Sequence, residues 1–315
     1  MKKLHFLPLF LVAATCWLTA CSDDENRYYM GQQSTPTPVA PDPRQDEAPA
    51  EAKSNLEFPA VKGGNSKVLI HKAQLNSTYS GLNYAVEWDT NIHAQRWSCY
   101  KLFANTYNTG SGDVTRYRPD NNETLTPTSQ YPNDPELPAE YQFTVDPYKS
   151  TGYDHGHIVP SADRQKHTEA NYQTFFLTNM QPQNNNFNAG IWADMEQQLR
   201  LWAAGYDTLY VCKGGTIDRA EYIKAYLGSG ANKIPIPKYF FMAVLAKKGN
   251  DFKATGFWID QDNHPSSNLK YYAVTIQTLQ SHTGIDFFCN LPNDIENTVE
   301  NIAASQMEKE WTWYK

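Results

Sequence analysis

The chain has 315 residues, 40% hydrophobic and 13% aromatic, enough apolar material for a large core, which excludes global disorder. Its 27 basic and 34 acidic residues give a formal charge of −7. That balance excludes a polycation holding nucleic acid by bulk charge, though not a local cationic groove, and no heptad or short repeat recurs.

Lys2 and Lys3 precede an apolar stretch running from Leu4 to about Leu18. It is shorter than the ~20 residues of a spanning helix and has the order of a secretory signal. Leu18-Thr19-Ala20-Cys21 resembles the lipobox of bacterial lipoproteins. The resemblance implies removal of a signal peptide, 1–20, and acylation of Cys21. The product would be an exported outer-membrane lipoprotein, periplasmic or cell-surface facing, that meets the membrane through its lipid only. Cleavage would leave 25 basic against 34 acidic residues, a charge of −9. Residues 21–57 hold eight acids, three bases and five prolines, a composition that predicts a disordered, solvated tether. Residues 58–315 are then the folded domain. Its cysteines, Cys99, Cys212 and Cys289, allow one disulfide in any of three pairings, with Cys212 reading as a small core residue. No C-x-x-C is present to suggest structural zinc.

Runs rich in β-branched and aromatic residues predict strands over 67–73, 84–89, 97–103, 207–212, 239–246, 252–259 and 271–276. Between the third and fourth runs, 104–206 is loop-rich and then helical. Apolar residues at 191, 192, 195, 199 and 202 predict a helix over 191–204, with Asn188 available to cap it. A last helix is predicted from Ile295 to about Glu310. Strands at both ends and no internal linker give one α+β domain, with a mostly antiparallel central sheet and flanking helices.

Polar residues of catalytic type crowd into 152–200. Asp154-His155-Gly156-His157 reads as a strand-like turn that Gly156 allows to bend sharply, followed by an Asn-rich loop opening a helix. These residues, with Thr178-Asn179-Met180-Gln181-Pro182-Gln183, Phe187-Asn188-Ala189-Gly190-Ile191-Trp192 and Glu196, resemble the signature of the DNA/RNA non-specific endonucleases. That family carries a ββα-metal active-site motif, and the resemblance covers about 84–300.

What the resemblance implies can be stated residue by residue. His157 matches the general base, a role that suits imidazole near neutral pH. Asn188 matches the metal ligand, a neutral oxygen donor appropriate to Mg²⁺, with Mn²⁺ as a substitute. Asn179, Glu196 and Arg200 match positions lining the site, Glu196 toward metal-bound water and Arg200 toward phosphate. Taken alone, Glu196 and Arg200 are an i, i+4 surface pair. Arg116 resembles the arginine that stabilises the phosphorane, a role Arg118 could also take. Asp154 is expected to hold the turn by accepting backbone N–H bonds.

His155 departs from the pattern, since the family usually has Arg there. The change removes a permanent charge and would weaken phosphate binding or make it respond to acid. A transition-metal site made of His155, His157 and Asp154 is an alternative. The implied function is metal-dependent, non-specific hydrolysis of DNA and RNA, recognised through the phosphate backbone. Two other readings stay open: a catalytically impaired surface protein that binds nucleic acid, and a more selective phosphodiesterase.

Overall fold

A computed structural model describes residues 48–103, 105–121 and 129–313. The signal segment, Cys21 and the tether as far as 47 lie outside the described residues. Among those described, no helix is long and apolar enough to cross a membrane.

The strands are β1 (Ser66–Gln74), β2 (Ser80–Asp89), β3 (Ala94–Leu102), β4 (Asp154–His157), β5 (Met180–Gln183) and β6 (Thr208–Gly215). They continue with β7 (Ile223–Leu227), β8 (Ile234–Pro237), β9 (Tyr239–Lys248), β10 (Asp251–Asp260) and β11 (Ala273–Val274). The helices are α1 (Thr168–Gln173), α2 (Asn185–Phe187), α3 (Ala193–Ala203), α4 (Ile276–Thr283), α5 (Asn293–Glu300) and α6 (Ala304–Glu310). Seven strands form one antiparallel sheet in the order β1-β2-β3-β6-β9-β10-β11, and two-stranded ribbons β4-β5 and β7-β8 sit outside it. This is the α+β architecture expected.

Both faces of the sheet are covered. In β9, Phe240, Met242, Val244 and Ala246 join a core with α3, while Phe241, Ala243 and Leu245 join a second core with α4 and α5. A strand buried on both sides has no polar face, so its sequence reads as one apolar run. Cys99 and Cys212 are register partners across β3 and β6, and with Cys289 they are free thiols.

Four expectations change. The fold starts before 58: Ala48, Ala52 and Glu57 are buried, and Asn290 Nδ2 donates to the carbonyls of Ala52 (2.7 Å) and Asn55 (2.8 Å). An acidic, proline-rich composition hides those two alanines, whose small faces fit the second core. The run at 271–276 yields only the two-residue β11, because Thr275 caps α4 by accepting from the Thr278 N–H at 3.1 Å. The helix predicted over 295–310 is two helices. Val299 of α5 lies in one core and Met307 of α6 in the other, so the chain must round the sheet between them. The ribbon β7-β8, buried on one strand and exposed on the other, was not foreseen at all.

Beyond α6, Trp311 packs on Trp202 of α3 with ring centroids 4.3 Å apart, and Trp202 Nε1 donates to the Thr312 carbonyl at 2.6 Å. The C-terminal residues therefore strap α3 to the sheet.

Candidate active site

Strands β4 and β5 pair antiparallel, with Asp154 opposite Gln183, Gly156 opposite Gln181 and His157 opposite Met180. The chain then passes through α2 and an irregular turn, Asn188–Trp192, into α3. Non-helical torsions at Gly190 keep α2 and α3 from fusing. Two strands and a helix thus frame the site. Gly156 lies in extended strand, not at a bend; a Cβ there would collide with the Gln183 side chain, which crosses it.

His157 and His155 share one face of β4, as strand alternation requires. Around His157 stand Phe175, edge-on with centroids 4.9 Å apart, and Tyr131 at 6.3 Å. Trp192 Nε1 donates to the His157 carbonyl at 3.4 Å, tying the strand to the turn that begins at Asn188. The Nε2 atom of His157 is buried without a hydrogen-bond partner. Burial, then the charge of Arg116, holds the imidazole far below its ordinary value, at about 3. The ring is therefore neutral through the physiological range, with a lone pair free to accept a proton.

Asn188 does not cap a helix with its side chain. Its Nδ2 donates to Asp154 Oδ2 at 2.9 Å, and Asn185 Nδ2 donates to the same oxygen at 3.0 Å. Asp154 accordingly accepts side-chain amides where backbone N–H bonds were expected. Holding the Asn188 amide by its nitrogen leaves Oδ1 as the available donor. One neutral oxygen beside a carboxylate fits a hard divalent cation that keeps most of its water. Among the described residues, His155, His157 and Asp154 do not bring their ligand atoms within 4.8 Å of one another, as a site built from all three would need.

Arg116 lays its guanidinium over the Phe175 ring, 4.7 Å from the centroid, and it is this arginine whose charge acts on His157. His155 is turned elsewhere. Its ring stacks on Tyr131 (3.7 Å, 5° between planes) and lies 4.4 Å from Tyr148, while Nε2 sits 3.0 Å from both oxygens of Asp146. Burial is the largest single influence and pushes the Asp146 carboxyl up, but the bond from His155, the Tyr148 N–H and the nearby cationic charge together outweigh it, and the group lies below its ordinary value. His155 thus braces the wall that carries Tyr131.

Glu196 and Arg200 do not pair with each other. Lys213 Nζ donates to Glu196 Oε1 at 2.8 Å, with side chains 0% and 13% exposed, and lies 4.5 Å from the Trp192 ring centroid. Burial raises the Glu196 carboxyl and lowers the Lys213 ammonium, and each opposes the other's shift. Arg200 donates to Asp163 Oδ1 at 2.8 Å, and the Tyr100 hydroxyl donates to Asp163 Oδ2 at 2.8 Å. Asn179 does not line the site. It is fully buried, donates to the carbonyls of Val159 (2.9 Å) and Thr174 (2.8 Å), and accepts from the Val159 N–H at 2.9 Å. Lys213, Tyr131 and Asp146 escaped the sequence reading. A lysine closing the buried strand 207–212 was the one signal available for any of them.

The sequence profile of the DNA/RNA non-specific endonuclease family matches residues 64–294. A protein called Nuclease from Nostoc sp. (strain PCC 7120 / SAG 25.82 / UTEX 2576) is 31% identical over 178 residues, 53% of this chain and 62% of that protein. The protein called Nuclease EXOG, mitochondrial, of Xenopus laevis is 26% identical over 223 residues, 68% of this chain and 58% of that one. The chain thus spans about three-fifths of the length of these two relatives. A chain from the crystal structure of the EndoG/EndoGI complex superposes with a TM-score of 0.55 at 19% identity, over 66% of this chain and 84% of that one. That likeness concerns the fold.

Proposed function

The chain belongs to the DNA/RNA non-specific endonuclease family, and on that premise we propose that it hydrolyses phosphodiester bonds in DNA and RNA with little sequence preference. The observation that carries the proposal is the buried, unpartnered Nε2 of His157 in a ββα frame that also presents Arg116 and the Asp154-held amide of Asn188. His157 Nε2 takes a proton from the attacking water. Arg116 offers parallel donors to the phosphoryl oxygens, where charge grows in the transition state. Phe175 and Tyr131 keep bulk water from the imidazole. Asp154 orients Asn188, whose Oδ1 would hold a divalent ion, Mg²⁺ by preference or Mn²⁺. Such an ion supplies charge stabilisation at the scissile phosphate and the leaving oxygen.

Arg200 and Glu196 act on the site indirectly, by neutralising Asp163 and Lys213 beneath it. Family resemblance implies 5′-phosphate and 3′-hydroxyl products. Each group named addresses phosphate and none is placed to read base edges, so low sequence preference follows. Export with lipidation at Cys21 is part of the same proposal, supported by the order Lys2-Lys3, apolar stretch and Ala20-Cys21. The test is incubation with plasmid and with RNA, in Mg²⁺ or EDTA. His157→Ala should lose at least about 10²-fold in rate. Cleavage that survives chelation overturns the metal's role, and a fully active His157→Ala overturns the base.

A further inference from the structure

The outer strand of the β7-β8 ribbon carries features that neither the core nor the site explains. Tyr226 is 50% exposed and Val145 63%, two of four large hydrophobic side chains so exposed among the described residues. Lys233 Nζ stands 4.1 Å from the centroid of the Tyr226 ring, covering one aromatic face. At the other end of the strand, Lys224 lies 5.8 Å from the Tyr153 ring, next in sequence to Asp154. Lys224 is also paired with Asp262, which in turn accepts from Asn184 Nδ2, one residue before the Asn185 that holds Asp154. The ribbon therefore begins at the mouth of the site.

Its tip is fixed as well. Asn232 Oδ1 accepts from the N–H groups of Thr144 (2.9 Å) and Val145 (3.3 Å), and Asn232 Nδ2 donates to Thr144 Oγ1 at 2.8 Å. Asp146, which holds His155, follows directly in the chain. Tyr226 lies two residues beyond Lys224, about 7 Å along the strand. A cation at the mouth followed by an exposed ring backed by a second cation is what a polyanion with flat bases requires.

We propose that β7 seats the nucleic-acid strand flanking the scissile bond, with Lys224 exchanging its Asp262 partner for a phosphate and the half-exposed ring of Tyr226 stacking on an unpaired base. The inference rests on the nuclease reading and deepens it. It makes the favoured substrate single-stranded or locally melted, because a paired base within a duplex offers no face to a ring.

Wild type, Tyr226→Ala and Tyr226→Phe, as full chains, are compared on a single-stranded oligonucleotide and on the same sequence as a duplex. Tyr226→Ala should raise KM for the single strand about tenfold with kcat little changed, and raise that for the duplex less than threefold. Tyr226→Phe, which keeps the ring, should stay within twofold of wild type on both. An unchanged single-strand KM in Tyr226→Ala, or equal losses on both substrates, overturns the inference. Fluorescence anisotropy of the labelled oligonucleotide in EDTA reads the same contact without catalysis. If wild type cuts neither substrate, the nuclease reading fails, while weaker single-strand binding by Tyr226→Ala still upholds the ribbon and unaltered binding refutes it.

Discussion

Replacing Lys213 with Met strips the Glu196 carboxylate of its cation while keeping the aliphatic packing on Trp192. Lys213 is fully buried and Glu196 nearly so, and their 2.8 Å contact is the direct cation partner found for this carboxylate. Leaving one member of such a pair uncompensated costs about 3–5 kcal/mol. For a domain of this size that lowers the melting temperature by about 10 °C.

The loss should depend on pH with a definite sign. Burial already raises the Glu196 carboxyl, and without the ammonium it rises further above its unfolded value. A raised acid keeps its stability below the unfolded pKa and loses it as pH climbs, so the deficit should be larger at pH 8 than at pH 5. Thermal denaturation of wild type, Lys213→Met, Glu196→Gln and the double variant closes the cycle. The double variant should recover at least half of what the lysine substitution loses. A change under 2 °C in Lys213→Met, or a double variant no better than the single, would refute the reasoning.

Asp154→Ala removes the acceptor that orients Asn188, and should raise the divalent-ion concentration for half-maximal activity by about 10–100-fold, read by metal titration. His157 is held at about 3, so kcat/KM should persist at pH 5 and decline only well below the usual imidazole range. Arg116→Ala, which relieves the repulsion on the ring, should shift that acid limb to higher pH, whereas a wild-type limb near 6.5 would contradict the assigned burial. Asp286, Glu296 and Glu300 bring carboxylate oxygens within 4.8 Å of one another. Burial and then their mutual repulsion raise Glu296 to about 7 and Glu300 to about 8. Melting temperature should therefore fall as pH rises from 6 to 9, and Glu300→Gln should flatten that slope.

The long strands were legible because β-branched and aromatic runs mark them whether or not a polar face alternates. In β9 the apolar run alone could not have told strand from buried helix; its length and flanking residues did. The break between α5 and α6 was illegible, since Val299 and Met307 look alike until the sheet that separates them is known. At the site, His157 and Asn188 stood out through their motif, whereas Arg116 rested on a looser resemblance that left Arg118 open. The partners of Glu196 and Arg200 did not, because i, i+4 spacing describes one helix, while Lys213 and Asp163 come from other segments. Asn179 was misread for a related reason. A polar side chain inside a motif looks functional until its three hydrogen bonds to the backbone are counted.

The tryptophan strap has a bearing on how firmly the site is held. Helix α3 carries Glu196 and Arg200, and its far end is pinned from outside, where Trp202 packs on Trp311 and donates to the Thr312 carbonyl. Substituting Trp311 should therefore free the far end of that helix, a change felt at Glu196 and Arg200 although neither touches the ring.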